Sequence, residues 1–352
     1  MKNKFFLTSV LLILFIISIS AQEKIYEQTL TKKLKVNYGS NQSLHISSPK
    51  GSIQLIPGDD IIIEAVFLCS GTSKELVKNA LDSSTIDLKE ENGTINIDAK
   101  IPGNYLNYNQ VITNETQQIE NFMKSISKKD GAFAAITVNF YVTIPEKISK
   151  IKLDNSFGNI DISGIKSDIE INSKHGEINI ENLKGNIDIF HSYGDISLLR
   201  IEGDINIENS HGKVYIKKAK DIQVKNSFKG IIIEEVEGNI QVENSNAPVE
   251  LKKLNLQKSN PKLKRQINVQ NKTGDIILYP EDKPTFKIKA KSYSSSESSK
   301  EKKPGVKNDS DEASSERVSG TIGGTEDNVS VELQTVDAEI LIIFEEDAEE
   351  KK

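Results

Sequence analysis

The chain has 352 residues, yet it contains no tryptophan, two methionines and one cysteine, Cys69. A lone cysteine cannot close an intramolecular disulfide, so stability has to come from burial and backbone hydrogen bonds. Arginine is scarce, with only Arg200 and Arg265 in the long repetitive centre of the chain. The formal net charge of −6 is modest and scattered, which argues against nucleic acid as a partner. Past residue 21 no apolar run is long enough to span a membrane as a helix. There is no zinc-type Cys/His cluster, no glycine-rich phosphate loop and no nucleophile elbow. Of the four histidines, His45, His175, His191 and His211, the pair His175 and His211 share a ladder slot but lie two coils apart, too far to share a metal ion; His191 occupies the neighbouring asparagine slot, and turn packing is the expected role of these three. No catalytic, cofactor or metal residues are assigned.

What the chain does have is a phrase repeated from Asn155 to Leu254. Its first apolar residues are Ile160, Ile178, Ile196, Val214, Ile231 and Val249, at steps of 18, 18, 18, 17 and 18. A second row lies two residues on, at Ile162, Ile180, Leu198, Ile216, Ile233 and Leu251. Further rows run through Ile169, Ile187, Ile205, Ile222 and Ile240, and through Ile171, Ile189, Ile207, Val224 and Val242. Within each half-phrase apolar residues alternate with polar ones, the period of a strand with one buried face. Most are β-branched, which suits a pleated surface. Equivalence at every eighteenth residue argues against an antiparallel meander. It predicts an all-β fold: a single-stranded parallel β-solenoid of ~18-residue, two-strand coils. Its rungs should be spaced about 4.8 Å apart.

Each first strand is preceded by a corner of the form Asn-Ser-x. The reading is Asn155-Ser156-Phe157, Asn172-Ser173 with His175 after a one-residue insertion, His191-Ser192-Tyr193, Asn209-Ser210-His211 and Asn226-Ser227-Phe228. The amides are expected to form a hydrogen-bonded ladder and to close turns. The third position, Phe157, His175, Tyr193, His211 and Phe228, forms a candidate aromatic column. It serves either corner packing or the binding of a sugar or peptide. A second candidate surface is a basic loop inserted after Leu254, with Lys258, Lys262, Lys264 and Arg265.

The flanks divide as follows. Residues 1–21 read as an export signal, with Lys2 and Lys4 ahead of an apolar run and a small-residue exit. Residues 22–135 form an irregular β region. A helix over 73–81 with Ser73 as N-cap should cover the first coil, a hairpin should turn at Glu91-Asn92-Gly93, and an excursion loop fills 103–132. The regular solenoid covers 136–291. Val142 and Ile144, eighteen residues ahead of Ile160 and Ile162, should form the coil before them. Residues 292–319 are Ser-rich and charged and are expected to be disordered. Residues 320–345 supply the final strands, and 346–352 form an acidic tail.

The succession Ile144-Pro145, Ile151-x-Leu153-x-Asn155-Ser156-Phe157-Gly158, the Gly-x-Ile-x-Ile coils and Gly320-Thr321-Ile322-Gly323 resembles a bacterial family. It is the putative-adhesin, β-strand-repeat domain of unknown function found in exported proteins. The resemblance covers residues 140–345 and implies a β-solenoid in the envelope or at the surface. It brings no catalytic residues.

The outward acidic and amide row Asp168, Glu170, Asn186, Asp188, Asp204, Asn206 and Asp221 admits two readings. Neighbouring lysines and amides absorb the repulsion, or a divalent cation bridges adjacent coils. The leading functional expectation is an exported, non-enzymatic solenoid that presents a surface for adhesion or for binding an envelope protein or glycan. A structural or sensory periplasmic scaffold is the alternative. A polysaccharide-active enzyme comes third, because such enzymes need a local carboxylate or arginine cluster that breaks the repeat.

Overall fold

The computed structural model describes residues 11–15, 25–39, 42–102, 134–254, 264–280, 286–293, 315–322 and 329–343. The chain forms two compact units that divide after Gly194.

The first unit holds β1 (Leu11–Phe15), β2 (Tyr26–Val36), β3 (Ser43–Ser48), β4 (Ile53–Pro57), β5 (Ile61–Gly71), helix α1 (Lys74–Asp82), β6 (Thr85–Glu91), β7 (Thr94–Lys100), β8 (Ala134–Ile144), β9 (Lys150–Phe157), β10 (Ile160–Ser163), β11 (Asp168–His175), β12 (Ile178–Leu183) and β13 (Ile187–Tyr193). One sheet runs β1-β2-β5-β8-β4-β10-β12 and the other β13-β11-β9-β3-β7-β6. The coils are parallel and stack in register. Ile178 lies over Ile160, and Ile160 over Ile53. In the second sheet Ile187 lies over Ile169, which lies over Ile151. All of these are fully buried between the sheets. Each such side chain contributes roughly 2 kcal/mol of hydrophobic stabilisation.

The expected eighteen-residue step from Val142 to Ile160 does not make those residues neighbours. Strand β4 lies between their strands and shifts the row by two residues: Leu55 pairs with Val142 on one side and with Ile162 on the other, while Ile160 lies over Ile53 and Phe140. The coil below the regular repeat therefore comes from residues 43–57. Their Gly51-Ser52-Ile53-Gln54-Leu55 has the same phrase as Gly158-Asn159-Ile160-Asp161-Ile162 and fills the slot equally well.

The antiparallel strands that close this end are β2, β5 and β8. Helix α1 starts where the sequence places it: the Ser73 hydroxyl accepts from the Leu76 amide at 3.1 Å. It buries Val77, Ala80 and Leu81. The β6–β7 hairpin turns at Asn92 and Gly93, with φ of 52° and 77°, the left-handed pair of a type I′ turn. β2 alternates only weakly and was not expected from the sequence, yet it pairs along its full length with β5. The backbone of β1, within the expected leader, runs antiparallel to β2.

The second unit holds β14 (Ile196–Ile201), β15 (Ile205–Asn209), β16 (Val214–Lys217), β17 (Ile222–Asn226), β18 (Ile231–Glu234), β19 (Ile240–Asn244), β20 (Val249–Leu254), β21 (Arg265–Asn271), β22 (Ile276–Pro280), β23 (Phe286–Tyr293), β24 (Ser315–Ile322), β25 (Val329–Val336) and β26 (Ile340–Ile342). The sheets run β14-β16-β18-β20-β22-β26 and β24-β23-β25-β21-β19-β17-β15. After the phase break the ladder resumes as expected, with Ile267 over Ile240 and Ile276 beside Val249. β25 inserts between β21 and β23, so β23 and β24 lie beyond the expected final strand. Both ends of the stretch expected to be disordered are strand, at Ser292-Tyr293 and from Ser315 onward. Its middle lies outside the described residues.

The corner at the end of each first-sheet strand of the regular repeat, β10 to β20, has one residue in the left-handed region. Gly164 and Asn182 fill it in the first unit, with φ of 71° and 56°. Arg200, Lys218, Glu235 and Lys253 fill it in the second, at 48–58°. A side chain there costs about 1–2 kcal/mol. Lys218→Gly is expected to raise stability by about 0.5 kcal/mol after the loss of unfolded-state restriction. Its exposed ion pair with Glu235 is of little consequence. Lys217→Gly, one residue earlier in strand, should lower stability by about 1 kcal/mol. Urea midpoints of the two variants check the sign of each change.

Candidate functional site

The second corner of each coil carries the aromatic positions, and two columns organise it. The inner column is buried and polar. In the first unit it comprises Ser48, Asn155, Ser173 and His191, and in the second Asn209, Asn226, Asn244, Asn271 and Thr335. Each asparagine closes its own turn by donating to the carbonyl three residues on, as Asn155 does to Gly158 at 2.9 Å and Asn226 to Lys229 at 2.7 Å. Several also reach the corner one coil away, as Asn155 does to Gly51 at 3.1 Å and Asn226 to Gly212 at 3.0 Å. The amides thus link corners through backbone carbonyls.

Register corrects one sequence assignment. Ser173, not Asn172, pairs with Asn155 and His191, so no residue is inserted before His175. Asn172 faces outward and donates to Asp154 Oδ1 at 2.8 Å. His191 replaces an asparagine in the buried column, with Nδ1 3.2 Å from the Ser173 carbonyl. Burial lowers its pKa, against backbone carbonyls that favour the charged form. His175 is also lowered, by burial and then by the Lys174 charge.

The sign of the effect follows. Above the ordinary histidine value both states are neutral. As pH falls through about 6.5 the unfolded chain takes up protons before the folded one, so stability drops toward the folded-state pKa. His191→Asn, which restores the amide of the column, should flatten the stability profile between pH 7.5 and 5. Adding His175→Phe should flatten it further. Urea titrations across that range test this, and a profile as steep as wild type in the double variant would count against it.

The outer column is the aromatic one. In the first unit Phe157 and His175 stack with centroids 4.7 Å apart and planes 6° apart, and His175 and Tyr193 at 4.8 Å and 11°. In the second unit His211 and Phe228 stack at 4.4 Å and 18°. Beyond Phe228 the same slot turns polar. Asn246 donates to the Ser227 carbonyl at 2.8 Å, and Thr273 to Asn246 Oδ1 at 3.1 Å. The rings are therefore brought together within each unit as the sequence predicts. Both faces of His175 are covered, and one face of each of Phe157, Tyr193, His211 and Phe228 lies against a neighbouring ring. Tyr193 and Phe228 remain 47% and 50% exposed, a large apolar exposure that a purely internal packing role does not need.

The basic loop fares differently. Lys258 and Lys262 lie outside the described residues, and Lys264 is exposed. Arg265 opens β21, and its guanidinium donates to the carbonyls of Gly238 at 2.7 Å and Val236 at 2.6 Å. Burial pulls its pKa down to about 10. This arginine holds a corner of the wall and presents little charge to a partner.

The outward carboxylates are also engaged. Asp168 Oδ1 accepts from the Asn186 amide at 2.8 Å, and Asp221 Oδ1 from the Asn239 amide at 2.6 Å, each fixing the next coil. Glu170 bridges Lys150 at 2.7 Å and Lys152 at 3.0 Å. Those two lysines hold its pKa at about 2. Asp154 sits between Asn172 and His45, whose Nε2 lies 2.6 Å away. Glu234 takes Tyr215, Lys217 and Lys253. Among the described residues no group of three or more histidine, cysteine or acidic side chains could hold a metal ion.

One corner residue escaped the sequence reading. Lys50 precedes Gly51 as Phe157 precedes Gly158, and the Gly51 amide donates to the Phe157 carbonyl at 2.6 Å. Lys50 therefore occupies the first position of the aromatic column. The phrase Lys50-Gly51-Ser52-Ile53 carries that signal once β4 is seen as a coil strand.

Among known families, the model described as Toastrack DUF4097 matches residues 17–341. No curated relative matches the sequence. Solved structures similar to this chain include a putative cell adhesion protein from Clostridium sporogenes, at 11% identity and a TM-score of 0.18, covering 96% of this chain and 100% of that one. A putative adhesin from Bacteroides fragilis matches at 10% identity and a TM-score of 0.34, covering 90% and 97%. A putative lipid binding protein from Parabacteroides distasonis matches at 9% identity and a TM-score of 0.29, covering 89% and 96%.

Proposed function

Because the chain belongs to the Toastrack DUF4097 family, we propose that it is an exported, non-enzymatic β-solenoid whose corner presents a binding or adhesive surface in the bacterial cell envelope. One observation carries the reading. The fold orders aromatic side chains into stacks and leaves Tyr193 and Phe228 about half exposed, although neighbouring corners use small polar residues in the same slot. A wall that needed only turn packing could repeat Asn246 and Thr273 throughout. The outward carboxylates support the same reading. Most engage a lysine or a backbone amide of the next coil, which suits a wall better than a reaction centre.

The test uses the full mature chain immobilised on a resin and exposed to detergent-extracted envelope and to a glycan array. Wild type should retain material that Tyr193→Ser and Phe228→Ser release. Equal recovery by all three proteins would sink the reading. Fractionation of cells expressing the chain with and without residues 1–21 tests export: only the longer form should leave the cytoplasm.

A further inference from the structure

The corner column of the first unit has a chemical bias that the aromatic pattern alone does not show. Lys50, Phe157, His175 and Tyr193 follow one another along it. The amides of Gly51, Gly158 and Gly176 donate in turn to the carbonyls of Phe157, His175 and Tyr193 at 2.6, 3.0 and 3.1 Å. Lys50 is half-buried, and among the described residues it has no carboxylate partner. Burial lowers its pKa with nothing opposing it. Several lysines elsewhere on the coils are paired, as Lys150 and Lys152 are with Glu170 and Lys217 is with Glu234. An unpaired, partly desolvated ammonium costs folding free energy and needs another explanation.

The rings add to this bias. Their planes lie within 6° and 11° of parallel, so both faces of His175 are covered. A neutral sugar held by aromatic residues lies on a ring face, and both faces of the central ring, His175, are closed. The exposed rim of an aromatic ring is the positive part of its quadrupole. The charge acting on the His175 ring is that of Lys174, also positive. The corner is thus a line of ring edges at the strand spacing, with cations at Lys50 and, two coils on, Lys174.

We propose that this corner binds a linear acidic polysaccharide, with sugar carboxylates running along the column and contacting Lys50, Lys174 and the ring edges. The proposal rests on the binding reading above and names its ligand class. An acidic polypeptide fits less well. Alternate side chains of an extended peptide repeat at roughly 6.8 Å, out of step with rungs of about 4.8 Å. A polyuronate carries one carboxylate on every sugar, and a pyranose is about as long as one rung.

The experiment is calorimetric titration of the full mature chain with polygalacturonate, dextran and poly-L-glutamate at low and moderate salt. Polygalacturonate should bind, more weakly as salt rises. Lys50→Met should bind about tenfold more weakly, the usual scale for losing one charge-assisted contact. Its thermal midpoint should be equal or higher, because the apolar stem is kept and an unpaired charge is gone. Tyr193→Ala should also weaken binding. Unchanged affinity in Lys50→Met, or equal binding of dextran, overturns the proposal. Equal binding of poly-L-glutamate overturns the choice of a glycan. If envelope material is retained on the resin but polygalacturonate does not bind, the ligand class falls and the binding reading stands. If neither is retained, both fall.

Discussion

Deleting residues 169–186 is expected to leave a folded, shorter protein with a lower thermal midpoint, whereas deleting only 169–177 abolishes cooperative folding. The longer deletion removes one whole coil, β11 and β12, and joins Asp168 to Ile187. Every lost residue has a replacement already in register. Ile187 and Ile189 take the places of Ile169 and Ile171 over Ile151 and Leu153. Asp188 takes the place of Glu170 beside Lys152, Tyr193 stacks on Phe157, and Gly194 rests on Gly158. Because a coil depends mainly on its neighbours, the cost is one interface. The shorter deletion removes half a coil and turns everything after it through half a revolution. Strands would still meet strands, but the corners would not match. One corner needs the buried amide and a glycine at φ near +120°, and the other a single left-handed residue. Exchanging them along the stack breaks both columns at every coil, which exceeds a total stability of about 5–15 kcal/mol. Far-UV circular dichroism and urea melts separate the outcomes. Two variants of equal stability would show that the coil is not the unit of construction.

The rows of isoleucine were legible because two periods coincide in them, two along the strand and eighteen along the chain. The helix was legible from Ser73 and the hairpin from Asn92-Gly93, where a local chemical need fixes the residue. The order of the coils was not. Gly51-Ser52-Ile53-Gln54-Leu55 and the Val142 to Ile144 segment both suit a place beneath Ile160, and a shared phrase names a slot without naming its neighbour. The same ambiguity hid β25 between β21 and β23. β2 was missed because its Thr29 to Lys35 stretch alternates weakly, and a partner some thirty residues on, β5, makes it a strand. Of the candidate site, the aromatic stacks followed from spacing alone. Lys50 did not, because its place in the column depends on that long-range insertion. Arg265 read as part of a basic run, since sequence shows charge but not the carbonyls of Val236 and Gly238 that take it up.

Gly176→Ala is expected to destabilise the protein on the order of 4 kcal/mol, combining left-handed strain with overpacking against backbone. At φ of +119° an alanine is already strained. The added Cβ would lie 2.2 Å from the Gly158 carbonyl oxygen and 2.5 Å from its carbon. Neither atom can rotate away as a side chain could, so the coils would have to separate. Separation is opposed on both sides, because Gly158 itself rests on Gly51, with the same 2.2 Å approach, and Gly194 rests on Gly176 at 1.9 Å. The stack of glycines is what lets the corner carbonyls and amides meet at rung distance, and with them the rings of Phe157, His175 and Tyr193. Gly93→Ala provides the comparison. Its φ of +77° is also left-handed, but nothing lies within 4 Å of the added carbon. It should cost only about 1 kcal/mol. Urea denaturation of both variants distinguishes contact from conformation. A Gly176→Ala loss no larger than that of Gly93→Ala would mean the coils can spread, and that strand pairing, not the close corner, sets the rung.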